Sequence, residues 1–593
     1  MLNRMDLPTR SYSLSQDHLI VSATHLVLAV YFVLFQSGVM SYVGMYLPTI
    51  ARVLSPLFYL LYAAAAVLLA RLTLTRYWMK ERSAFVWLFF LLAIAPLLFV
   101  RAHPGDVTKN YVVGLGSLAM FTTIGLFADP RRICRFAASV TALLSVLCLL
   151  DASFLDGFTN TLGRAATLLT NPNVAALSLL IGGTGTIWSL TPRWRVPFIV
   201  LVGGAVFATL SRSSMFIGAL VCLSTIPLLK PFWHQRATYL KSTLRPTLIT
   251  LLLTISLLVA GFINNSAFGV ATGNAFEGLR FAVQTLQEVK SKQKARGGSD
   301  KLNAITASMV SDAERENSAS ARAILLERAW QSYRHGPAFG QGLEKAFSLA
   351  PHNTQLLMMV AFGNFGWVVV PLLIALIFCI GGWRKGLPPA VAVAGGAFFS
   401  HDLLLAVPLI ASLVVLLIGL RVDPEAAPAV ETKASGRTPM AVPVILLALA
   451  SLAALYAQSH NLQNYRLDVQ AKDINGLEGP LYYVILPDAM PKGLVRLNTV
   501  DRDMQLTESS RPLAYSNEFG GDQDLLLGFG QYSVRNMWLW FVPGDGSDPA
   551  LNGRTYRFSG QVIINPEFVC LVLAVLLWAA SWVYLDRRID VRK

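Results

Sequence analysis

Long apolar runs separated by short basic loops fill most of the chain. Residues 21–40 read VSATHLVLAVYFVLFQSGVM, and residues 371–383 read PLLIALIFCIGGW. A helix needs about 20 apolar residues to cross a bilayer. These runs are continuously apolar and do not alternate, which predicts helices and not the strands of a barrel. About fourteen spans satisfy the length criterion. They cover residues 20–41, 53–73, 84–100, 111–128, 136–152, 174–190, 196–210, 213–229, 246–264, 354–381, 387–401, 403–420, 441–458 and 567–585. His401 and Asp402 alone separate two of them. The fold class expected is an all-α polytopic membrane bundle of about twelve core helices plus two C-terminal ones, with a small β-rich extracytoplasmic domain.

The basic residues give the bundle a direction. Every second loop carries them: Arg71, Arg76, Lys80 and Arg82; Arg131, Arg132 and Arg135; Arg193 and Arg195; Lys230, Arg236, Lys241 and Arg245; Arg384 and Lys385; Arg421, Lys433 and Arg437. Arg4 and Arg10 begin the series, and Arg587, Arg588, Arg592 and Lys593 end it. Basic loops stay in the cytoplasm. The expectation is therefore a multi-pass protein of a bacterial inner membrane with both termini cytoplasmic.

Three polar regions then fall on the opposite, periplasmic side: 153–173, 265–353 and 459–566. In the third, LYYVIL and QYSVRNMWLWFV have strand composition, and FGGDQD, PGDGSDP and LNGR supply turns. The expected organisation is a core 1–420 that includes the outer loop 265–353. A cytoplasmic linker 421–440, a helix 441–458, a β-rich domain 459–566, and a last helix with tail 567–593 follow.

Composition agrees with a membrane solvent. Of 593 residues, 54% are hydrophobic and only 14% charged, against about 25% charged in a soluble domain. The net charge of +15 would suggest nucleic acid in a soluble protein. Here it sits in the orienting loops, and no nucleic-acid partner is expected. Cys134, Cys148, Cys222, Cys379 and Cys570 lie in or beside apolar runs without ligand spacing, so neither a disulfide nor a metal site is expected. No small-residue cleavage site follows the first apolar run, which is too long for a signal peptide.

Charged residues at the mouth of a bundle are candidates for chemistry. Arg212 lies in TLSRSSMF, where Ser211, Arg212, Ser213 and Ser214 form a tight polar turn between two spans. Ser213 or Ser214 could cap the helix that follows. An arginine beside a helix N-terminus makes an anion site, and the competing reading is an interfacial anchor. His352 in APHNTQLLMMV stands just before a span. It could act as a general base, or be a plain turn residue ahead of the cap Asn353. Arg322 lies near the start of an amphipathic helix over 319–334, with Arg328 and Arg334 as rivals on a solvated face. Asn171, Pro172 and Asn173 read as an ordinary helix-opening turn. The basic run Lys290–Lys301 reads either as a contact for anionic headgroups or as a solvated loop.

Four segments in order, TNPNVAALSLL, TLSRSSMFIGAL, SARAILLERAWQSYRHGPAFGQG and PHNTQLLMMVAFGNFGW, resemble the O-antigen ligase and O-antigen polymerase superfamily over residues 110–420. The pattern is Ser320 and Arg322, then Pro337, Gly340 and Gly342, then His352 and Asn353, then Gly363 and Gly366. The resemblance implies a metal-independent, inverting glycosyltransferase that needs no cofactor. It would take a saccharide from undecaprenyl pyrophosphate at the periplasmic face. By resemblance, Arg212 and Arg322 bind the pyrophosphate and His352 activates the acceptor hydroxyl. Asn353, Ser211, Ser213 and Asn173 support them. Residues 441–593 carry no motif of that family. There Tyr532, Trp538, Trp540 and Phe541 either stack on sugars or form the domain's own core.

The acceptor stays open among lipid A-core, another lipid-linked glycan and a periplasmic protein. These correspond to a ligase, a polymerase and a protein O-oligosaccharyltransferase. Membrane lipids and other polysaccharide-assembly proteins are the remaining expected partners. From a different class, a polysaccharide or lipid transporter would need paired charges inside the spans, which are nearly charge-free here. A non-catalytic scaffold would be indifferent to a change at His352.

Overall fold

The computed structural model describes residues 10–46, 48–75, 81–100, 104–155, 163–225, 236–264, 268–269, 271–273, 318–422, 461–476, 481–486, 495–497, 504–516, 528–535 and 538–564. The expected spans 441–458 and 567–585, the basic run 290–301, most of the linker and Cys570 lie outside them. The chain divides into two units, one holding residues 1–149, 166–256 and 325–436, the other 150–165, 257–324 and 437–593.

Among the described residues, helices account for the apolar runs. In chain order they are α1 Arg10–Tyr31, α2 Val39–Tyr46, α3 Pro48–Thr75, α4 Glu81–Ile94, α5 Asp106–Phe127, α6 Pro130–Leu150, α7 Pro172–Thr186, α8 Pro192–Ala208, α9 Arg212–Thr225 and α10 Arg236–Asn264. After the undescribed stretch come α11 Ser318–Arg334, α12 Leu343–Ser348, α13 Thr354–Phe362, α14 Gly366–Phe399 and α15 Val407–Gly419. Among the described residues, five stretches are long and apolar enough to cross a membrane: Leu54–Thr73, Asp106–Phe127, Pro130–Ser153, Thr243–Ile263 and Thr354–Phe399. Apolar side chains of α3 such as Leu57, Leu60 and Val67 point outward and are exposed. In water such a surface would be costly, whereas a bilayer covers it.

The last of these stretches is 46 residues long, more than twice a single span. It breaks at Gly363 and again at Gly382, whose φ of 71° and ψ of 173° are non-helical. The sequence predicts a loop over 382–386 there. The structure needs only the one glycine, and Arg384 and Lys385 are already helical. The expected span 403–420 likewise starts later, because residues 402–406 form a turn in which the Leu405 and Ala406 N–H groups donate to the Asp402 carbonyl.

α7 and α15 form the centre of the first unit. Both are apolar on all sides, and a helix of that kind must be buried. Every residue from Pro408 to Gly419 is buried. Glycine lets the two backbones touch: a Cβ on Gly185 would lie 2.6 Å from the Leu416 Cα, and one on Gly419 would overlap the Gly185 carbonyl oxygen at 1.8 Å. Small residues at a crossing give this close approach inside membranes. Ser178 and Ser412 share a buried hydrogen bond of 2.7 Å across the same contact.

In the second unit, residues 461–564 build two small sheets. Their strands are β1 Asn461–Val469, β2 Ile474–Gly476, β3 Tyr482–Ile485, β4 Val495–Leu497, β5 Gln505–Glu508, β6 Arg511–Pro512, β7 Ala514–Tyr515, β8 Gln531–Arg535, β9 Trp538–Phe541 and β10 Tyr556–Ile564. One sheet has the order β1-β10-β5-β6 with β4 also on β10; the other runs β2-β3-β9-β8-β7. Leu506, Tyr556 and Phe558 from the first and Val484, Tyr532, Leu539 and Phe541 from the second share one hydrophobic core. The run 531–542 has strand composition throughout, and it supplies two strands, with β8 antiparallel to β9 and Arg535 opposite Trp538. Alternation then splits the four candidate aromatics. Tyr532 and Phe541 are core, whereas Trp540 is half-buried and rests on Tyr483 at 5.1 Å. The Trp538 side chain lies outside the described residues.

Candidate functional site

His352 sits on a turn that the sequence has to force. Ala350 and His352 have φ of 43° and 47°, in the left-handed region that costs most side chains energy. Asn353 then returns to extended backbone, and its side-chain oxygen accepts the Leu356 N–H at 2.8 Å, which makes it the N-cap of α13. Thr354, first in the helix, donates its hydroxyl to the Ser400 carbonyl at 2.5 Å.

The glycine loop ahead of this turn is bonded to the far end of α13. The N–H groups of Gln341 and Gly342 donate to the carbonyls of Val360 and Ala361 at 2.9 and 3.0 Å, and the Asn364 N–H donates to Ala338 at 3.0 Å. The two strands of backbone are too close for any side chain between them. A Cβ on Gly340 would lie 2.2 Å from the Ala361 oxygen, and one on Gly363 would lie 2.0 Å from the Ala338 oxygen. Both glycines also have positive φ, 82° and 59°. This is the physical reason for the glycines at 340 and 363.

A second fastening comes from α12. The Glu344 carboxylate accepts the N–H groups of Gly105 and Thr108 at 2.6 and 3.0 Å and the Thr108 hydroxyl at 2.9 Å, capping α5 from a different helix. Burial pushes this carboxyl up, but the hydrogen bonds from Thr108 and Gly105 outweigh it and hold the group below its ordinary value.

Around the His352 ring stands a group that the sequence reading passes over. The His401 ring lies edge-to-face on that of His352, with centroids 4.9 Å apart. His401 Nε2 is 3.4 Å from Asp402 Oδ1, and its side chain is 14% exposed. Phe347 packs on the same ring at 5.4 Å. A His-Asp pair at the end of a long charge-free run was the available signal; its shortness made it read as a mere separator.

Arg212 opens α9. Leu210 has φ of 50°, and buried Ser211 offers its carbonyl to the Met215 N–H at 2.9 Å. The helix begins one residue before Ser213, so Ser213 and Ser214 lie inside its first turn and neither caps it. Ser211 flanks it instead and donates its hydroxyl to Ser214 at 2.9 Å. Arg212 itself is half-buried. Asn171 caps α7 by accepting from the N–H groups of Asn173 and Val174 at 2.9 and 3.4 Å, after Thr170 at φ of 62°.

These helix starts share one end of the first unit. Phe216, one turn into α9, meets Phe399 at the end of α14 with rings 6.5 Å apart. Ser400 and His401 follow directly. Leu177 of α7 packs over Gly396 near the end of α14, and Ser178 reaches Ser412 midway along α15. Arg212, Asn173, Asn353, His352 and His401 therefore belong to the same end of the helices. Arg322 lies on the backbone of α11, and its side chain is outside the described residues.

Comparison with the models of known protein families finds no match, and no curated protein matches the chain. Chemically, the end just described offers an imidazole on a constrained turn, a second imidazole with a carboxylate, and an arginine at a helix N-terminus, where the macrodipole favours an anion.

Proposed function

We propose that the chain is a membrane glycosyltransferase that moves a glycan from undecaprenyl pyrophosphate to a hydroxyl acceptor at the periplasmic face, as a polysaccharide polymerase or ligase. The observation that carries this reading is the His352 turn: a histidine held at positive φ, beside His401 and Asp402, at the same end of the bundle as Arg212. Strain of this kind persists where the surrounding structure over-determines it, as the glycine loop and the Glu344 cap do here.

In the proposed reaction His352 takes the proton of the acceptor hydroxyl. The oxygen attacks the anomeric carbon opposite the pyrophosphate, and the carbon–oxygen bond to the leaving group breaks with inversion. Charge grows on the pyrophosphate as that bond stretches. Arg212 meets it there, since a guanidinium binds phosphate oxygens in pairs; the resemblance assigns Arg322 the same ligand. The isoprenoid chain lies among the apolar helices, and both termini are cytoplasmic. In the β-rich domain, the half-buried rings of Tyr483 and Trp540, tilted 43° to one another, each offer an aromatic face to a sugar ring, which favours a polymerase that handles a long chain.

The test is transfer by the purified full chain from a lipid pyrophosphate-linked oligosaccharide, wild type beside His352→Ala. A product ladder that vanishes in the variant supports a polymerase with His352 as base. A single transfer to lipid A-core makes the chain a ligase, and a labelled periplasmic protein makes it a protein O-oligosaccharyltransferase. A variant equal to wild type overturns the assignment of the base. No transfer to any acceptor favours a transporter.

A further inference from the structure

His401 carries a buried nitrogen without a hydrogen-bond partner among the described residues. Its Nε2 faces Asp402 Oδ1 at 3.4 Å, and a carboxylate beside one ring nitrogen favours the proton on that nitrogen. The lone pair then belongs to Nδ1, the atom left buried and unpaired. Burying an acceptor unpaired is costly, and such atoms call for an explanation. The ring against which His401 packs, 4.9 Å away between centroids, is that of His352.

Three further features show that this contact is built. Phe347 closes the other side of His401 at 5.4 Å in a second edge-to-face contact. The Ser400 carbonyl, one residue before, is bonded by Thr354, two residues after His352. The Asp402 N–H donates to the Ser400 hydroxyl at 3.1 Å, which fixes the turn carrying both His401 and Asp402. The turns that carry the two histidines are thus joined by the Thr354–Ser400 hydrogen bond as well as by the ring contact.

We propose that His401, oriented by Asp402, is a positioning residue for His352: it fixes the His352 ring and stabilises the imidazolium formed when His352 accepts the acceptor's proton. This rests on the transferase reading above. A protonated His352 carries a positive charge, and the ring packed against it holds a buried nitrogen lone pair, on His401 Nδ1, as a neutral partner for that charge. His401 makes and breaks no bond to substrate. The proton on His352 passes to water or to the departing pyrophosphate, and His401 ends as it began.

The experiment compares kcat and donor KM for the purified full chain carrying His401→Ala, His401→Phe and His401→Gln, each also combined with His352→Ala, with lipid pyrophosphate-linked oligosaccharide as the probe. A positioning role predicts that His401→Ala lowers kcat by about 10- to 100-fold, a part of what a general base contributes, with donor KM unchanged. His401→Phe keeps the ring packing and stays as slow, while His401→Gln, which keeps an acceptor, regains most of the loss. Groups that act as a unit are non-additive, so His401→Ala adds nothing in the His352→Ala background.

Wild-type kcat in His401→Phe would overturn the inference and leave the base assignment intact, as would a second full loss in the double variant. Absence of transfer by wild type would instead sink the transferase reading and the inference with it. Thermal unfolding of each variant identifies one that has failed to fold; the comparison then rests on His401→Gln against His401→Phe, where equal rates overturn the inference.

Discussion

The helix-start end of the first unit and the β-rich domain of the second treat buried charge and backbone strain in opposite ways. In the β-rich domain, Glu508 is buried and fully met. It accepts from Arg554 at 2.8 Å, from the Tyr556 hydroxyl at 2.7 Å and from the Gly544 N–H at 3.1 Å. Arg554 also reaches Asp545 at 2.5 Å. At the helix-start end, His401 keeps a nitrogen unpaired. Strain follows the same division. Among the described residues, the non-glycine positions at positive φ are Thr167, Thr170, Leu210, Ala350, His352, Ser509 and Ser510. The last two form the turn between β5 and β6, where two positive φ values match the twist of a hairpin. The other five stand immediately ahead of α7, α9 and α13. The β-rich domain pairs its buried carboxylate and confines its non-glycine strain to one hairpin turn, whereas the helix-start end places its strain ahead of three helices.

The largest expected effect breaks the scaffold that enforces the strained turn. Gly340→Ala puts a Cβ 2.2 Å from a backbone oxygen at φ of 82°, which nothing flexible can relieve. We expect a loss of about 3 kcal/mol or more, in the range of severe point changes, read as a collapse of the thermal transition in detergent together with loss of transfer. An unchanged melting temperature would show that the loop is not bonded to α13 as described.

Next comes Arg212→Lys. It keeps the charge and removes the paired donors, so donor KM or kcat should worsen by about 10-fold while stability holds, one tenfold step being about 1.4 kcal/mol. If Arg212 is only an interfacial anchor, lysine serves as well and the kinetics do not move.

In the β-rich domain the comparison predicts stability effects without kinetic ones of that kind. Burial pushes the Glu508 carboxyl up, but the hydrogen bonds from Arg554, Tyr556 and Gly544 outweigh it, so its folded value lies below the ordinary one. A depressed carboxylate contributes stability that is present above the unfolded value of about 4.3 and is lost as pH falls through the folded value. Glu508→Gln should cost about 1–3 kcal/mol at neutral pH and flatten the acid limb of the stability curve. Hydrogen exchange at β5 and β10 checks this in the intact chain. The smallest effect is a gain. Ser510→Gly relieves φ of 73° and should stabilise the hairpin by a few tenths to about 1 kcal/mol.

Much of this arrangement is legible in the sequence, because helix starts are local. Asn171 before a proline, and Asn353 after a Pro-His pair, announce their caps. The apolar runs announce their helices, and Pro337, Gly340 and Gly342 announce a loop. What stays hidden is set by distant contacts. Nothing local says that Gly340 and Gly363 face each other. The break in α14 narrows to Gly382 because glycine takes the positive φ there and Arg384 and Lys385 are good helix formers. The residues 531–542 satisfy one long strand as well as two short ones, and pairing with β3 decides. His401 is the clearest case: its contact is with His352, 49 positions away, and it carries no motif of its own.

If the His352 turn is strained for chemistry, His352→Gly separates the strain from the imidazole. Glycine adopts φ of 47° freely, so the variant should melt at the same temperature or higher while transfer from lipid pyrophosphate-linked oligosaccharide falls by about 10²- to 10⁴-fold, the contribution of a general base. A variant that transfers as fast as wild type would contradict the claim, and His352 would then be only the residue before a cap.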